Sequence, residues 1–131
     1  MAPIRLLIVD NSPEFLEAAA SLLSAHPHAQ VVGLARTGAE ALRLIGPLAA
    51  DLVLVDLLMP GMDGMTATRR IKALPSPPAV VVLTYHQSAE LRQQALDAGA
   101  VAFVNKERIV EDVFAIIDAR IAQTRKGPAG V

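Results

Sequence analysis

The sequence predicts an α/β protein: five parallel strands in one doubly wound sheet of order 2-1-3-4-5, with five helices covering its two faces. Three observations lead there. Short aliphatic runs alternate five times with segments of helical periodicity, joined by short connections and without internal repeats. The chain is 53% hydrophobic but only 3% aromatic, so its core is Val, Leu, Ile and Ala, the composition of strands buried on both faces. Its 131 residues suffice for one domain with a real core and fall short of two. We place the domain at residues 1–123 and read 124–131, TRKGPAGV, as a tail or the start of a linker.

Each element has its own signals. Ile4 to Val9 is an aliphatic run interrupted only by Arg5, and it ends in Asp10 and Asn11. Ser12 then offers an N-cap, Pro13 a first helical residue and Glu14 a favourable charge in the first turn. Phe15, Leu16, Ala19, Leu22 and Leu23 follow at helical spacing until His26-Pro27. Gln30 to Ala35 reads as the second strand, and Thr37 opens a helix that Gly46-Pro47 should end. The third strand, Leu52 to Asp56, runs into a loop rich in turn residues, MPGMDG, and a helix then carries Ala67, Ile71 and Leu74 toward the breaker cluster PSPP. Ala79 to Leu83 is the fourth strand, ending at Thr84. Ser88 caps a helix that Gly99 terminates, Val101 to Val104 is the fifth strand, and Val110, Val113, Phe114, Ile117 and Ile121 form the stripe of the last helix.

Several classes of function are excluded or disfavoured. Net charge is −1, from 12 basic and 13 acidic residues, so this chain lacks the electrostatic footprint for nucleic acid or an anionic membrane. The absence of cysteine rules out disulfides and thiolate metal sites. No apolar run reaches the roughly 18 residues of a spanning helix, and the N-terminus does not read as a signal peptide, so a cytoplasmic protein is expected.

In a doubly wound sheet, ligands bind outside the carboxyl ends of the strands at the switch in strand order, here between the first and third strands. The polar residues that end the strands converge there: Asp10 and Asn11, Asp56, Thr84, and Lys106. Two carboxylates with an amide, a hydroxyl and an ammonium suit a hard divalent cation and a transferring phosphoryl group. Oxygen ligands fit Mg²⁺, which keeps several waters and needs one or two carboxylates. Lysine supplies a point charge for a phosphate, threonine a hydrogen bond to a phosphoryl oxygen, and an aspartate already ionised at pH 7 a nucleophile without a general base.

On these residues the chain resembles the receiver domain of two-component response regulators. The resemblance spans Ile4 to about Gln123 and rests on LLIVDNSP, DLLMPGMDG, the LT of VVLTYH, and DAGAVAFVNK together. It implies the flavodoxin-like receiver fold and phosphorylation of Asp56 by a sensor histidine kinase. It further implies Mg²⁺ held by Asp10, Asn11, Asp56 and the Leu58 backbone carbonyl. Thr84 and Lys106 would register the phosphate, and Phe103 would change rotamer with Thr84. A signal-relay module is then expected, not a conventional turnover enzyme. It would control an output through partner or homodimer contacts on the fourth helix, fifth strand and fifth helix. The wording around Thr84 and Lys106-Glu107 is most similar to receivers that precede a helix-turn-helix domain, which points to transcription.

Departures from the family pattern mark where this chain should differ. Asn11 stands where a second acid is usual, so the site carries two negative charges in place of three, and weaker Mg²⁺ binding is expected. An alternative follows from the same residue: a degenerate receiver that binds partners without phosphorylation. Tyr85 is bulkier than the usual residue beside the threonine and is expected to crowd Phe103. Leu58 and His86 flank the phosphoryl pocket. Other residues have plainer readings: Asp63 as a helix N-cap, Gly61 and Gly64 as turn residues, and His26 and His28 as solvated loop residues.

Overall fold

The computed structural model describes residues 2–126. The strands are β1 (Ile4–Val9), β2 (Ala29–Ala35), β3 (Leu52–Asp56), β4 (Ala79–Thr84) and β5 (Ala102–Asn105). The helices are α1 (Pro13–Leu23), α2 (Gly38–Leu48), α3 (Gly64–Lys72), α4 (Ala89–Asp97) and α5 (Ile109–Lys126), the last entered through a short 3₁₀ turn at Lys106–Arg108. All strand pairings are parallel, and the sheet order is β2-β1-β3-β4-β5, as expected.

Strand alternation divides the core into two layers. Leu6, Ile8, Leu52, Leu54, Val81, Leu83 and Val104 point to the side covered by α1 and α5, where they meet Leu16, Ala19, Leu23, Val113 and Ile117. Leu7, Val9, Val53, Val55, Val80, Val82 and Phe103 point to the other side, against Ala41 and Ile45 of α2, Ala67 and Ile71 of α3, and Ala95 of α4. Strands β3 and β4 are buried at every position, as their uninterrupted aliphatic runs require. Register then places the site: Val9 pairs with Val55, so the next residues, Asp10 and Asp56, emerge side by side at the carboxyl edge.

Four helices begin by the same device. The side-chain oxygens of Ser12, Thr37, Asp63 and Ser88 accept the backbone N–H three residues on, from Phe15, Glu40, Thr66 and Leu91. Asp63 is thus the N-cap expected. Arg5, the one interruption in β1, donates from Nε and Nη2 to the Leu48 carbonyl at 3.0 and 2.9 Å, satisfying the last turn of α2.

Some boundaries and settings differ from the sequence reading. Helix α2 passes through Gly46 and Pro47 to Leu48, because a proline this close to the end removes one hydrogen bond only. Ala49, in the left-handed region at φ 50°, ends it. Strand β2 starts one residue earlier, at Ala29, and β5 is shifted by one residue to Ala102–Asn105. Helix α5 continues through Thr124 to Lys126, into the segment read as a tail, and residues 127–131 lie outside the described residues. His26 is buried, not solvated: Nε2 lies 2.8 Å from Asp118, Nδ1 accepts the His28 N–H, and the ring packs edge-on against Phe114. Both ring nitrogens are satisfied, which is what allows the burial. Among the described residues no helix is long and apolar enough to cross a membrane.

Gly64 is more than a turn residue. Its N–H donates to the Leu57 carbonyl, closing the loop after β3, and a Cβ there would run into the backbone of Asp56 and Leu57. Gly61 differs: it adopts φ 82° with open space around it. We expect Gly64→Ala to cost about 2–3 kcal/mol, since backbone cannot yield as a side chain would. Gly61→Ala should cost about 1 kcal/mol, for backbone conformation alone. Urea unfolding of the two variants checks this, and equal losses would contradict it.

Candidate functional site

The carboxyl edge gathers Asp10, Asp56, Thr84 and Lys106, all buried. Each arrives at a strand end: Asp10 after β1, Asp56 as the last residue of β3, Thr84 as the last of β4, and Lys106 just past β5, whose Asn105 pairs with Thr84. The Lys106 Nζ lies 2.6 Å from Asp10 Oδ2 and 3.1 Å from Asp56 Oδ1. One ammonium therefore serves two buried carboxylates. The other oxygen of Asp10 accepts the Ser12 N–H at 2.9 Å, so the start of α1 also holds that acid in place.

The electrostatics follow from this sharing. Burial pushes the Asp56 carboxyl above the ordinary carboxylate value; the Lys106 hydrogen bond and charge oppose that rise, and the charge of Asp10 adds to it. For Lys106, burial acts to lower the ammonium, but its hydrogen bonds to Asp10 and Asp56 and their charges outweigh it and hold the pKa above the usual lysine value. The lysine is thus a fixed cation.

Two aromatic rings complete its surroundings. The Lys106 Nζ sits 4.3 Å from the centre of the Phe15 ring and 5.0 Å from that of Tyr85. Neither contact is legible in the sequence. Phe15 reads there as part of the α1 stripe, and Tyr85 as a residue that crowds Phe103. Instead the described ring contacts set Tyr85 against Lys106 and place the Arg92 guanidinium 5.9 Å from the Phe103 ring. Phe103 itself is core, buried on the α4 side of the sheet.

The remaining candidates fall around this centre. The Thr84 hydroxyl donates to the His86 carbonyl at 3.1 Å and accepts the His86 N–H at 3.0 Å, a local turn in which it is engaged with backbone. Asn11 is exposed, and its carbonyl accepts from Arg36 at 3.2 Å. Leu58, Tyr85 and His86 are exposed at the rim. Among the described residues no three His, Cys, Asp or Glu side chains cluster closely enough to hold a metal by themselves. A cation here must rely on two acids and neutral oxygens. Asp10 and Asp56 are the two acids present; the Asn11 amide and the Leu58 carbonyl, nominated by the sequence, would complete a set of hard oxygen donors of the kind that suits Mg²⁺ with several waters retained.

Known proteins share this fold. The profile of the response regulator receiver domain matches residues 6–118. A protein-glutamate methylesterase/protein-glutamine glutaminase of Myxococcus xanthus is 39% identical over 107 residues, which is 81% of this chain but 31% of that protein. The signal receiver domain of the putative response regulator NarL from Mycobacterium tuberculosis superposes with TM-score 0.80 at 32% identity, covering 90% of this chain and 98% of that one. The response regulator domain of Thermotoga maritima CheB gives TM-score 0.80 at 25% identity over 89% and 95%. The chain spans under a third of the length of the curated relatives it matches. They also correct one expectation: a chain read as standing apart from turnover enzymes has, among its curated relatives, proteins that are enzymes by name.

Removing Lys106 strands two buried acids. In Lys106→Met the folded-state pKa of Asp56, already raised, should rise further. A carboxyl whose folded pKa exceeds its unfolded value stabilises the fold at low pH and loses that contribution as pH rises through the folded pKa. The variant should therefore be less stable than the parent at pH 7, by about 3 kcal/mol, and recover part of the loss at pH 5. Thermal unfolding at the two pH values reads this; an equal deficit at both would contradict it.

Proposed function

The chain belongs to the response regulator receiver domain family, and from that premise we propose that it is a signal-relay domain phosphorylated on Asp56. The observation that carries the reading is the single ammonium of Lys106 within ion-pair distance of both Asp10 and Asp56 at the sheet's carboxyl edge. A sensor histidine kinase, or a phosphotransfer partner of the same chemistry, is the donor. In the transfer, an Asp56 carboxylate oxygen forms a bond to phosphorus as the donor's P–N bond breaks. The departing imidazole keeps the bonding pair and takes its proton from solvent. Lys106 is already placed to neutralise charge on the phosphoryl oxygens, and no group has to be deprotonated first.

Magnesium, when bound, supplies further positive charge against those oxygens. Asp10, Asn11, Asp56 and the Leu58 carbonyl are the residues that would hold it. Thr84 registers the phosphate by giving up its bond to the His86 carbonyl. A neutral hydrogen bond is worth about 0.5–1.5 kcal/mol and one to a charged acceptor about 1.5–3, so the exchange favours the phosphoryl. Phosphorylation in this way shifts an equilibrium between two states, with Phe103 following Thr84, and α4, β5 and α5 present the result.

For the output, the curated relatives support a protein-glutamate methylesterase in place of the transcriptional control read from the Thr84 and Lys106-Glu107 wording. The alternative, a receiver that acts without phosphorylation, draws on Asn11 alone.

Incubation with acetyl phosphate and Mg²⁺ followed by intact-mass measurement tests the reading. We expect one phosphoryl group on the parent chain and none on Asp56→Asn; an unmodified parent chain would leave the phosphorylation-independent alternative. The charge missing at Asn11 predicts a Mg²⁺ requirement well above the micromolar range. Asn11→Asp should lower the half-saturating Mg²⁺ concentration about tenfold or more, and saturation of the parent at micromolar Mg²⁺ would contradict this.

A further inference from the structure

Lys106 opens an exposed 3₁₀ turn whose next two residues, Glu107 and Arg108, are exposed, yet it is only 9% exposed itself. Its burial is not supplied by the two carboxylates alone. The Phe15 ring from α1 and the Tyr85 ring from the turn after β4 both lie within cation–π range of the ammonium, at 4.3 and 5.0 Å. Tyr85 does this while 56% exposed, so its ring is spread over the charge from the solvent side and little of it is spent on the core. An aromatic face attracts the cation through its quadrupole but cannot accept its protons as an oxygen would. It therefore limits where Nζ sits without competing for the N–H donors that Asp10, Asp56 or a phosphoryl group requires.

We propose that Tyr85 is a positioning residue that, with Phe15, clamps the Lys106 ammonium against the phosphoacceptor and so sets the rates at which the phosphoryl group is gained and lost. The proposal rests on the reading of Asp56 as phosphoacceptor. Gain is attack of the Asp56 carboxylate on a donor. Loss is attack of a water oxygen on phosphorus, with the Asp56 C–O–P bond breaking at phosphorus. Asp56 leaves as a carboxylate, and the water's proton passes to solvent or to the phosphate released. Both steps build charge on the same phosphoryl oxygens, which Lys106 contacts. A loosened lysine slows both. A ring that merely covered the mouth of the site would act in the opposite sense, since its removal would admit donor and water and speed both.

The test compares Tyr85→Ala, Tyr85→Phe and Tyr85→Leu with the parent chain, using acetyl phosphate and Mg²⁺ for gain and the decay of the phosphorylated form for loss. Because the ring is largely exposed, thermal stability should hardly change. We expect both rates to fall together by about two- to fivefold in Tyr85→Ala, and equally in Tyr85→Leu, which keeps the bulk but not the ring. Tyr85→Phe should restore both. Faster gain and loss in Tyr85→Ala, or parent-like rates in Tyr85→Leu, would overturn the clamp. An independent readout needs no phosphorylation: the side-chain protons next to Lys106 Nζ should carry a ring-current shift in the parent and Tyr85→Phe that diminishes in Tyr85→Ala. A parent chain that gains no phosphoryl group but shows this shift would refute the phosphoacceptor reading and keep the clamp. Absence of the shift would refute the clamp whatever the rates.

Discussion

Everything at the carboxyl edge depends on one buried ammonium shared by two buried carboxylates. Two acids held this close and this dry would not both remain ionised without a counter-ion, and Lys106 is that counter-ion. The sharing explains the surrounding construction. The strand register sets Asp10 beside Asp56, the Ser12 N–H takes the acid oxygen that Lys106 does not use, and Gly64 lets the loop after β3 close tightly over the backbone of Asp56. Such a pair is a weak source of stability, because desolvation consumes most of the attraction. On the proposed reading of Asp56 its value lies in poise: a charge is held in place in advance, so little reorganisation would be needed when a phosphoryl group arrives.

The same poise limits how the site can signal. Thr84 is bonded to the backbone of His86, and Phe103 is sealed in the core with Arg92 beside its ring. Neither is loose. A phosphoryl group on Asp56 would move them only by offering better interactions than those they give up, and the resulting shift could be no larger than that difference. A charge-assisted hydrogen bond exceeds a neutral one by about 1–2 kcal/mol, enough to change a population severalfold. Coupling of this size suits a module whose state is read by a partner.

Much of this was legible in the amino-acid sequence, because the strands are buried on both faces and announce themselves as aliphatic runs, each with a polar residue where it stops. Ser12, Thr37, Asp63 and Ser88 marked helix starts for a local reason, a side-chain oxygen three residues before a free N–H. The features that escaped were long-range or quantitative. Pro47 reads as a breaker, but its cost at the end of α2 is one hydrogen bond, and the left-handed Ala49 carries no breaker signal. His26 reads as a loop residue because its partner, Asp118, is 92 positions away. Tyr85 and Phe15 meet on Lys106 from elements that nothing local connects. The output is not legible there either, since a receiver's own residues say little of the activity they control: the wording around Thr84 and Lys106 suggests transcription, whereas curated relatives are methylesterases by name.

On phosphorylation of Asp56 as proposed, Lys106 would pass from a carboxylate pair to a phosphoryl group. The most direct measurement is the ¹⁵N resonance of the Lys106 side chain before and after stoichiometric phosphorylation of Asp56. A clear displacement of that signal is predicted on phosphorylation of the parent chain, and none in Asp56→Asn treated in the same way. A Lys106 signal that stays in place while Asp56 carries the phosphoryl group would contradict the claim.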